Sequence, residues 1–157
     1  MAADLWAVEE WPPPPPPPGL VIEQVGHREQ LKQWLHPVTV SFELSQAVAS
    51  AFFELFAGRG LGPDVPWQLF VGLVEGRPVA ASRLFCAAGV AGVYHVATIP
   101  AARRRGLGSA LTLAAVRSAR ELDYRVGVLV SSSEGFGVYR RLGFRECCHA
   151  DAYRWPR

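Results

Sequence analysis

The sequence has few cysteines, little net charge and no long apolar run. Its three cysteines include no C-x-x-C pair, so we expect reduced thiols and no metal site. The net charge of +2 does not provide the strongly basic surface typical of nucleic-acid binding. No apolar run reaches the roughly 18 residues that cross a membrane, and the N-terminus lacks the basic-then-apolar pattern of a secretory signal. These absences predict a cytoplasmic protein that binds neither nucleic acid nor a membrane.

Lysine is almost missing, because Lys32 is the only one among sixteen basic residues. A P-loop needs Gly-x-x-x-x-Gly-Lys-Ser/Thr, and Lys32 lies far from the glycine-rich stretch around Gly106 and Gly108. A dinucleotide fingerprint needs Gly-x-Gly-x-x-Gly, but the third glycine position is occupied by Leu111. The sequence therefore disfavours an NTPase and a dinucleotide-binding enzyme.

The remaining composition suits one compact domain behind a proline-rich leader. With 157 residues, half of them apolar, the chain can bury about 70% of its unfolded surface in a single core. Seven consecutive prolines, 12–18, predict a polyproline II rod, which acts as a spacer or as a ligand for an SH3-like module. We assign residues 1–19 to this leader and 20–157 to the domain, and Met1 to Val8 could pair with something outside the chain.

Periodicity and turn residues predict the order of the elements. Strands are expected at 20–25, 67–73, 79–85, 92–99 and 126–130, the last of them buried, with closing strand material at 144–155. Helices are expected at 28–35, 45–56 and 106–122, followed by a short helix that Gly143 closes. A meander of antiparallel strands followed by a strand-helix-strand crossover indicates a mixed α/β sheet.

The stretch Arg103-Arg104-Arg105-Gly106-Leu107-Gly108 lies where an apolar strand gives way to a helix. The first N–H groups of a helix have no intrahelical partners and carry the positive end of the helix dipole. Glycines remove the Cβ atoms that would keep an anion away from these amides. The pattern predicts a phosphate site, with a plain helix entry and a solvated basic turn as the alternative.

A second motif, Ser132 to Phe144, contains Tyr139 about thirty residues downstream. Together the two stretches resemble the signatures of the GNAT superfamily of acetyl-CoA-dependent N-acetyltransferases. These are Arg/Gln-x-x-Gly-x-Gly/Ala and Asn-x-x-Ala-x-x-x-Tyr-x-x-x-Gly-Phe. Tyr139, Gly143 and Phe144 match the second signature, whereas Ser132 replaces its asparagine and Gly135 its alanine.

The resemblance implies the GNAT fold, an α/β fold with a mixed, mostly antiparallel sheet flanked by helices. Its splayed parallel strand pair would be 92–99 and 126–130, and its acceptor groove would involve Val38 to Leu61 and Cys147 to Trp155. Acetyl-CoA would be the cosubstrate, and a homodimer or a preceding tandem GNAT half are possible partners. The implied cofactor-binding residues are Val96, Ala97, Thr98, Arg103, Arg104, Arg105, Gly106, Leu107, Gly108, Ser109 and Ser132.

The implied activity is transfer of an acetyl group from acetyl-CoA to a primary amine of a small molecule or peptide. The amine would attack directly in a ternary complex, with Tyr139 as the general acid. In the family, a general base on this strand stands an even number of residues before the position that is Thr98 here. In this sequence those positions are Gly92 and Tyr94, and neither is a base at neutral pH. Strand alternation predicts that His95 faces the other way, as a core histidine with its hydrogen bonds satisfied.

Without a strong base, the site favours weakly basic amines. Deprotonating a lysine-type amine at pH 7 costs about 4.6 kcal/mol, whereas an α-amine costs about 1.1 kcal/mol. Glu43, Glu54, Glu134 or a water chain remain open as substitutes for the base. A catalytically weak acetyl-CoA-binding sensor or interaction module is the alternative function.

Overall fold

The computed structural model describes residues 1–7, 15, 17–62, 65–151 and 153, and within them the chain forms one six-stranded sheet. The strands are β1 (Ala2–Asp4), β2 (Leu20–Gln24), β3 (Trp67–Val74), β4 (Arg77–Ala87), β5 (Val90–Thr98) and β6 (Val126–Val128). The helices of this part are α1 (Arg28–Ser41), α2 (Gln46–Arg59), α3 (Leu107–Glu121) and α4 (Ser133–Arg141).

The sheet has the order β1-β6-β5-β4-β3-β2, and every neighbouring pair is antiparallel except β5 and β6. The predicted mixed, mostly antiparallel α/β class is therefore confirmed. Within the described ranges, no helix is both long and apolar enough to span a membrane.

Helices cover both faces of the sheet. On one face, the inner side of α3 packs against the middle strands through Leu107, Leu111 and Ala115. On the other face, α1 and α2 contribute Trp34 and Phe56 to a second buried cluster. The central strands are accordingly apolar on both sides, which is what a doubly covered sheet requires.

A hydrogen-bonded chain connects the two layers through the middle of the sheet. The indole Nε1 of Trp34 on α1 donates to the carbonyl oxygen of Ser82 at 2.8 Å, and the Ser82 hydroxyl donates to the carbonyl oxygen of Leu111 on α3 at 2.9 Å. Trp34 and Ser82 are both fully buried. Since an unpaired buried polar group is costly, these bonds fix how both helices sit on β4.

The N-terminal residues form a strand that the sequence did not predict. Instead of pairing outside the chain, Ala2–Asp4 pair antiparallel with β6, and Ala2 also bridges Arg145. Leu5 follows with 1% of its surface exposed, and the carboxylate of Asp4 accepts a 3.0 Å hydrogen bond from Arg125, which lowers the pKa of Asp4. Most of the predicted polyproline rod lies outside the described residues.

Two strand predictions near the C-terminus differ from the structure. Of the strand material predicted at 144–155, the stretch 144–151 forms only the bridge at Arg145, because β1 already occupies the open edge of β6, and residues 152, 154 and 155 lie outside the described residues. The strand predicted over 126–130 ends at Val128, and it is not buried throughout, since Val126 is 42% and Val130 is 76% exposed. The helix predicted over 28–35 extends to Ser41 and includes Pro37.

Candidate functional site

The parallel strands β5 and β6 separate after a short paired stretch. Val90, Ala91 and Gly92 pair with Val126, Gly127 and Val128, whereas β5 continues unpaired on this side to Thr98. Beyond Gly92, the edge of β5 that faces β6 therefore has peptide groups available to another extended chain.

A β-bulge lies at this separation. Arg83 is opposite Tyr94 and Ala81 is opposite Ala97, so the two residues between them, His95 and Val96, face Ser82 alone. His95 has a φ of +48°, in the left-handed region that non-glycine residues seldom adopt. Ser82 thereby leaves the regular ladder, and its carbonyl oxygen accepts the Trp34 hydrogen bond described above.

The bulge changes which side chains share a face. Thr98 lies towards α3, beside Gly108, whereas Tyr94 stacks on Arg83 on the α1/α2 face. The prediction that Tyr94 shares the face of Thr98 is wrong, because an inserted residue reverses the alternation of side chains.

His95 is on the α1/α2 face, opposite Thr98, as the sequence predicts. It packs edge-on against Trp34 at 5.9 Å, Phe42 at 6.1 Å and Phe52 at 5.3 Å between ring centroids. Its hydrogen bonds are not satisfied, since the buried Nδ1 has no partner in the described part of the chain. Burial, with the nearby Arg83 charge second, lowers the pKa of His95 to about 4, so the imidazole is neutral at pH 7.

One cavity of about 960 Å³ opens between β5, the start of α3 and α4. Of the predicted site residues, it is lined by all except Arg105, namely Val96, Ala97, Thr98, Arg103, Arg104, Gly106, Leu107, Gly108, Ser109, Ser132 and Tyr139. Ser41 and Phe42 also line it, and both lie in the Val38 to Leu61 segment that the resemblance assigns to the acceptor groove. The sequence missed Arg141, a cation in the last turn of α4.

The start of α3 has free backbone donors that face this cavity. Gly106 precedes the helix with a φ of +80°, and the first intrahelical hydrogen bond runs from the Ala110 amide to the Gly106 carbonyl at 3.0 Å. The amides of Leu107, Gly108 and Ser109 consequently have no helical partner. Arg103 ties the loop to β5 by donating from Nε to the Thr98 carbonyl at 3.3 Å. The free amides and the arginine side chains are hydrogen-bond donors, and the helix dipole adds positive potential. Together they suit a phosphate group.

Tyr139 lies on α4 at the opposite wall of the cavity. Ser132 caps this helix, because its Oγ accepts a 3.2 Å hydrogen bond from the Gly135 amide. The Tyr139 ring packs edge-on against Phe144 at 6.2 Å, and burial raises the pKa of the phenol. The hydroxyl is therefore protonated at neutral pH and can donate a proton.

Gly135 leaves the space that the Tyr139 ring occupies. A Cβ at Gly135 would lie 2.9 Å from a ring carbon of Tyr139, whereas one at Gly137 would meet only Arg141 at 3.6 Å. Both glycines are in α4, where Gly→Ala raises helix stability by up to about 1 kcal/mol. Gly137→Ala is thus expected to raise the melting temperature, and Gly135→Ala to raise it less and to move the Tyr139 ring.

Thermal unfolding of the two variants measures this difference. Equal stabilisation by both substitutions would show that the Tyr139 ring is free to move.

A second cavity of about 670 Å³ shares the lining residue Ser132 with the first. Its other lining residues are Met1, Ala2, Tyr94, Val128, Leu129, Val130, Ser131, Ser133, Phe136, Glu146, Cys147, Cys148, His149 and Ala150. Cys86, Cys147 and Cys148 are free, and no three metal-binding side chains come together among the residues that are described.

Comparison with solved structures places this fold among acetyltransferases. A GCN5-related N-acetyltransferase from Kribbella flavida superposes with a TM-score of 0.67 and 24% identity over 92% of this chain. This chain spans only 52% of that protein. A second structure is that of the aminoglycoside acetyltransferase meta-AAC0020 from an uncultured soil metagenomic sample, in complex with sisomicin. It superposes with a TM-score of 0.68 and 17% identity, over 88% of this chain and 97% of that one.

A third structure, AAC(6')-Iy in complex with the bisubstrate analog CoA-S-monomethyl-acetylneamine, has a TM-score of 0.68 and 19% identity. It is matched over 87% of this chain and 98% of that one.

No curated protein matches the sequence. The model of the acetyltransferase (GNAT) domain matches residues 66–146, more than half of the 157 residues. The chain therefore belongs to the GNAT acetyltransferase family.

Proposed function

We propose that this protein is an N-acyltransferase that moves the acetyl group of acetyl-CoA to a primary amine of a small molecule or peptide. The observation that carries the proposal is the 960 Å³ cavity, which joins the open edge of β5, the free amides of α3 and the Tyr139 phenol. All three features are needed for acyl transfer from a long thioester, and they line one continuous space.

In the proposed complex, the amides of Leu107, Gly108 and Ser109 hold the pyrophosphate, and the Arg104 side chain adds positive charge. The pantetheine arm lies along Val96–Thr98 and pairs with the strand edge that β6 leaves open. The Ser132 hydroxyl, which accepts from Gly135, still has a hydrogen to donate to an amide of this arm. Support for this arrangement also comes from the fold shared with AAC(6')-Iy in complex with a CoA-linked analog.

The reaction forms a C–N bond and breaks a C–S bond. The uncharged amine nitrogen attacks the carbonyl carbon of the thioester, the C–S bond breaks, and the sulfur leaves as a thiolate. Tyr139 supplies the proton that this thiolate takes, the nitrogen loses its own proton to water, and water returns a proton to the Tyr139 phenolate. The acid is well suited to this step because burial keeps the phenol protonated.

Proton removal from the amine restricts the substrate. His95, with a pKa of about 4, is too weak a base to deprotonate an ammonium group at pH 7. The acceptor must then arrive largely uncharged, which favours an α-amine over a lysine side chain. At pH 7, we expect α-amines to react up to about 300-fold faster than lysine-type amines of matched size, the ratio of their uncharged fractions.

Two lysine-containing peptides of the same sequence provide the matched pair of amines. In one the side-chain amine is blocked and the α-amine is free, and in the other the α-amine is blocked and the side-chain amine is free. Thiol release from acetyl-CoA is measured for both between pH 7 and pH 10. The ratio of the two rates should shrink as the pH rises and the lysine-type amine loses its proton. Faster turnover of the lysine-type amine at pH 7 would contradict the proposal of a site without a strong base.

An acetyl-CoA-binding sensor is the second candidate. The neutral His95 and the lack of any other assigned base favour it. It is distinguished by acetyl-CoA binding without thiol release in the presence of every amine tested.

A further inference from the structure

The second cavity is built partly from the same elements as the proposed acetyl-CoA cavity. On β5, Tyr94 lines the second cavity and Val96 lines the first. On α4, Phe136 lines the second and Tyr139 the first, and residues three apart on a helix are neighbours on its surface. Ser132, which caps α4, lines both. The two cavities are therefore neighbours, and the turn of α4 that carries Tyr139 also forms a wall of the second one.

Much of the wall of the second cavity is apolar. Its hydrophobic side chains include Tyr94, Val128, Val130 and Phe136. Two of them are exposed although they are large and apolar, Val130 to 76% and Tyr94 to 37%. Exposed apolar side chains that line a concave surface indicate a site where an apolar group binds.

The same wall carries almost no charge. Among the described residues that line it there is no lysine or arginine, and the one carboxylate, Glu146, pairs with His149 at 2.9 Å. A charged group bound here would lose water without gaining an opposite charge, which is unfavourable. A hydrocarbon group would be stabilised by the burial of apolar surface. The part of a ligand that fits this cavity is therefore uncharged and apolar.

The acceptor amine is the reactant that still needs a binding site. In the proposed complex, acetyl-CoA occupies the first cavity from the amides of α3 to the Tyr139 phenol. The amine must reach the thioester from a neighbouring space while the cosubstrate stays bound, and the second cavity offers about 670 Å³ beside Ser132. Since Val130 is largely exposed, this space is reached from solvent.

We infer that the second cavity holds the apolar side chain of the acceptor, so that the substrate is a primary amine that carries a hydrocarbon group of several carbons close to the amine. The inference rests on the proposed acetyl transfer. Tyr94, Val130 and Phe136 determine this specificity by contact with the hydrocarbon group. They take no part in the chemical step.

Four α-amino amides whose unbranched side chain grows from one to four carbons test the inference. Alaninamide, 2-aminobutyramide, norvalinamide and norleucinamide have the same α-amine, so that loss of its proton contributes equally in all four. Each methylene that enters an apolar cavity should raise kcat/KM by about 3- to 4-fold, which gives about 30- to 60-fold over the series. Equal kcat/KM for all four amides with the unmodified protein would overturn the inference.

Val130→Asp places a charge on the cavity wall, at a side chain so exposed that it adds little to folding. It should reduce the rise over the series by about 5-fold or more, whereas Val130→Ile should keep the rise. Val48→Asp is the matched control, because Val48 is a 44% exposed valine on α2 that lines neither cavity. The control should leave the rise unchanged, and an unchanged rise in Val130→Asp would overturn the inference.

Acyl-CoAs of two lengths separate the acceptor from the alternative occupant, a longer acyl group. With alaninamide as the acceptor, acetyl-CoA is compared with hexanoyl-CoA, and we expect no higher kcat/KM for the longer acyl group. A higher value for hexanoyl-CoA that Val130→Asp lowers would mean that the acyl chain occupies the second cavity, which overturns the inference.

Binding of the acetylated products distinguishes a failure of this inference from a failure of the proposed reaction. N-acetylnorleucinamide and N-acetylalaninamide are titrated calorimetrically into protein saturated with CoA. Tighter binding of the norleucine product that Val130→Asp weakens, with no turnover of any amine, supports the apolar acceptor site and overturns the proposed activity. Equal binding of both products overturns the acceptor site, whatever the turnover.

Discussion

Replacing Tyr139 by phenylalanine is expected to lower kcat for acetyl transfer by about 10²- to 10³-fold, the usual contribution of a positioned general acid. The affinity for acetyl-CoA should change little, because phenylalanine keeps the ring contact with Phe144 and removes only the hydroxyl. Steady-state thiol release and calorimetric titration of Tyr139→Phe measure the two quantities separately.

Tyr124→Phe is the matched control, since Tyr124 is also half-buried but lines neither cavity. It should leave kcat unchanged. A Tyr139→Phe variant that keeps most of its turnover would show that Tyr139 only packs against Phe144 and that the leaving thiolate is protonated by water.

Leu5→Ala is expected to lower the free energy of unfolding by about 2 to 5 kcal/mol. Leu5 is 1% exposed, and its side chain fills the space beside Gly127 on β6, where even a Cβ would clash with it. Truncation leaves a cavity next to the pairing of β1 with β6, which is only three residues long. Urea unfolding followed by circular dichroism measures the loss.

The same truncation at an exposed leucine provides the control. Leu122, at the end of α3, is 45% exposed, and Leu122→Ala should cost less than about 1 kcal/mol. Equal losses for Leu5→Ala and Leu122→Ala would mean that the N-terminal strand adds nothing to the stability of the domain.

The parts of the site that local chemistry specifies could be predicted from the sequence. Gly106 and the bare first turn of α3 follow from a glycine-rich helix entry, and Ser132 occupies a cap position that serines favour. That both segments line one cavity was expected from the family resemblance, which implies a single acetyl-CoA site for both motifs. Their roles in binding acetyl-CoA remain predictions.

Tertiary contacts decide what the sequence could not show. At the bulge beside His95, the Ser82 carbonyl accepts a hydrogen bond from Trp34, which lies 48 positions before Ser82 in the chain. No alternation pattern in β5 encodes the bulge, so the predicted face of Tyr94 was wrong. A three-residue strand such as β1 has too few residues to produce a periodic signal, and it pairs with a segment more than 120 residues away.

The surroundings of Arg83 could not be predicted for a related reason. Arg83 lies in the middle of a strand, where a single charged residue normally indicates an exposed position. Only the packing of Phe56 and Tyr94 around it reveals a half-buried cation with no carboxylate beside it in the described residues.

Calorimetric titration of the full chain with acetyl-CoA tests the central claim most directly, because every proposed step requires that cosubstrate in the cavity between β5, α3 and α4. We predict one-to-one binding with a micromolar Kd, which Gly106→Val should weaken by straining the left-handed entry to α3. The absence of binding at millimolar acetyl-CoA would contradict the proposal, and the family membership would then describe the fold of this chain without its activity.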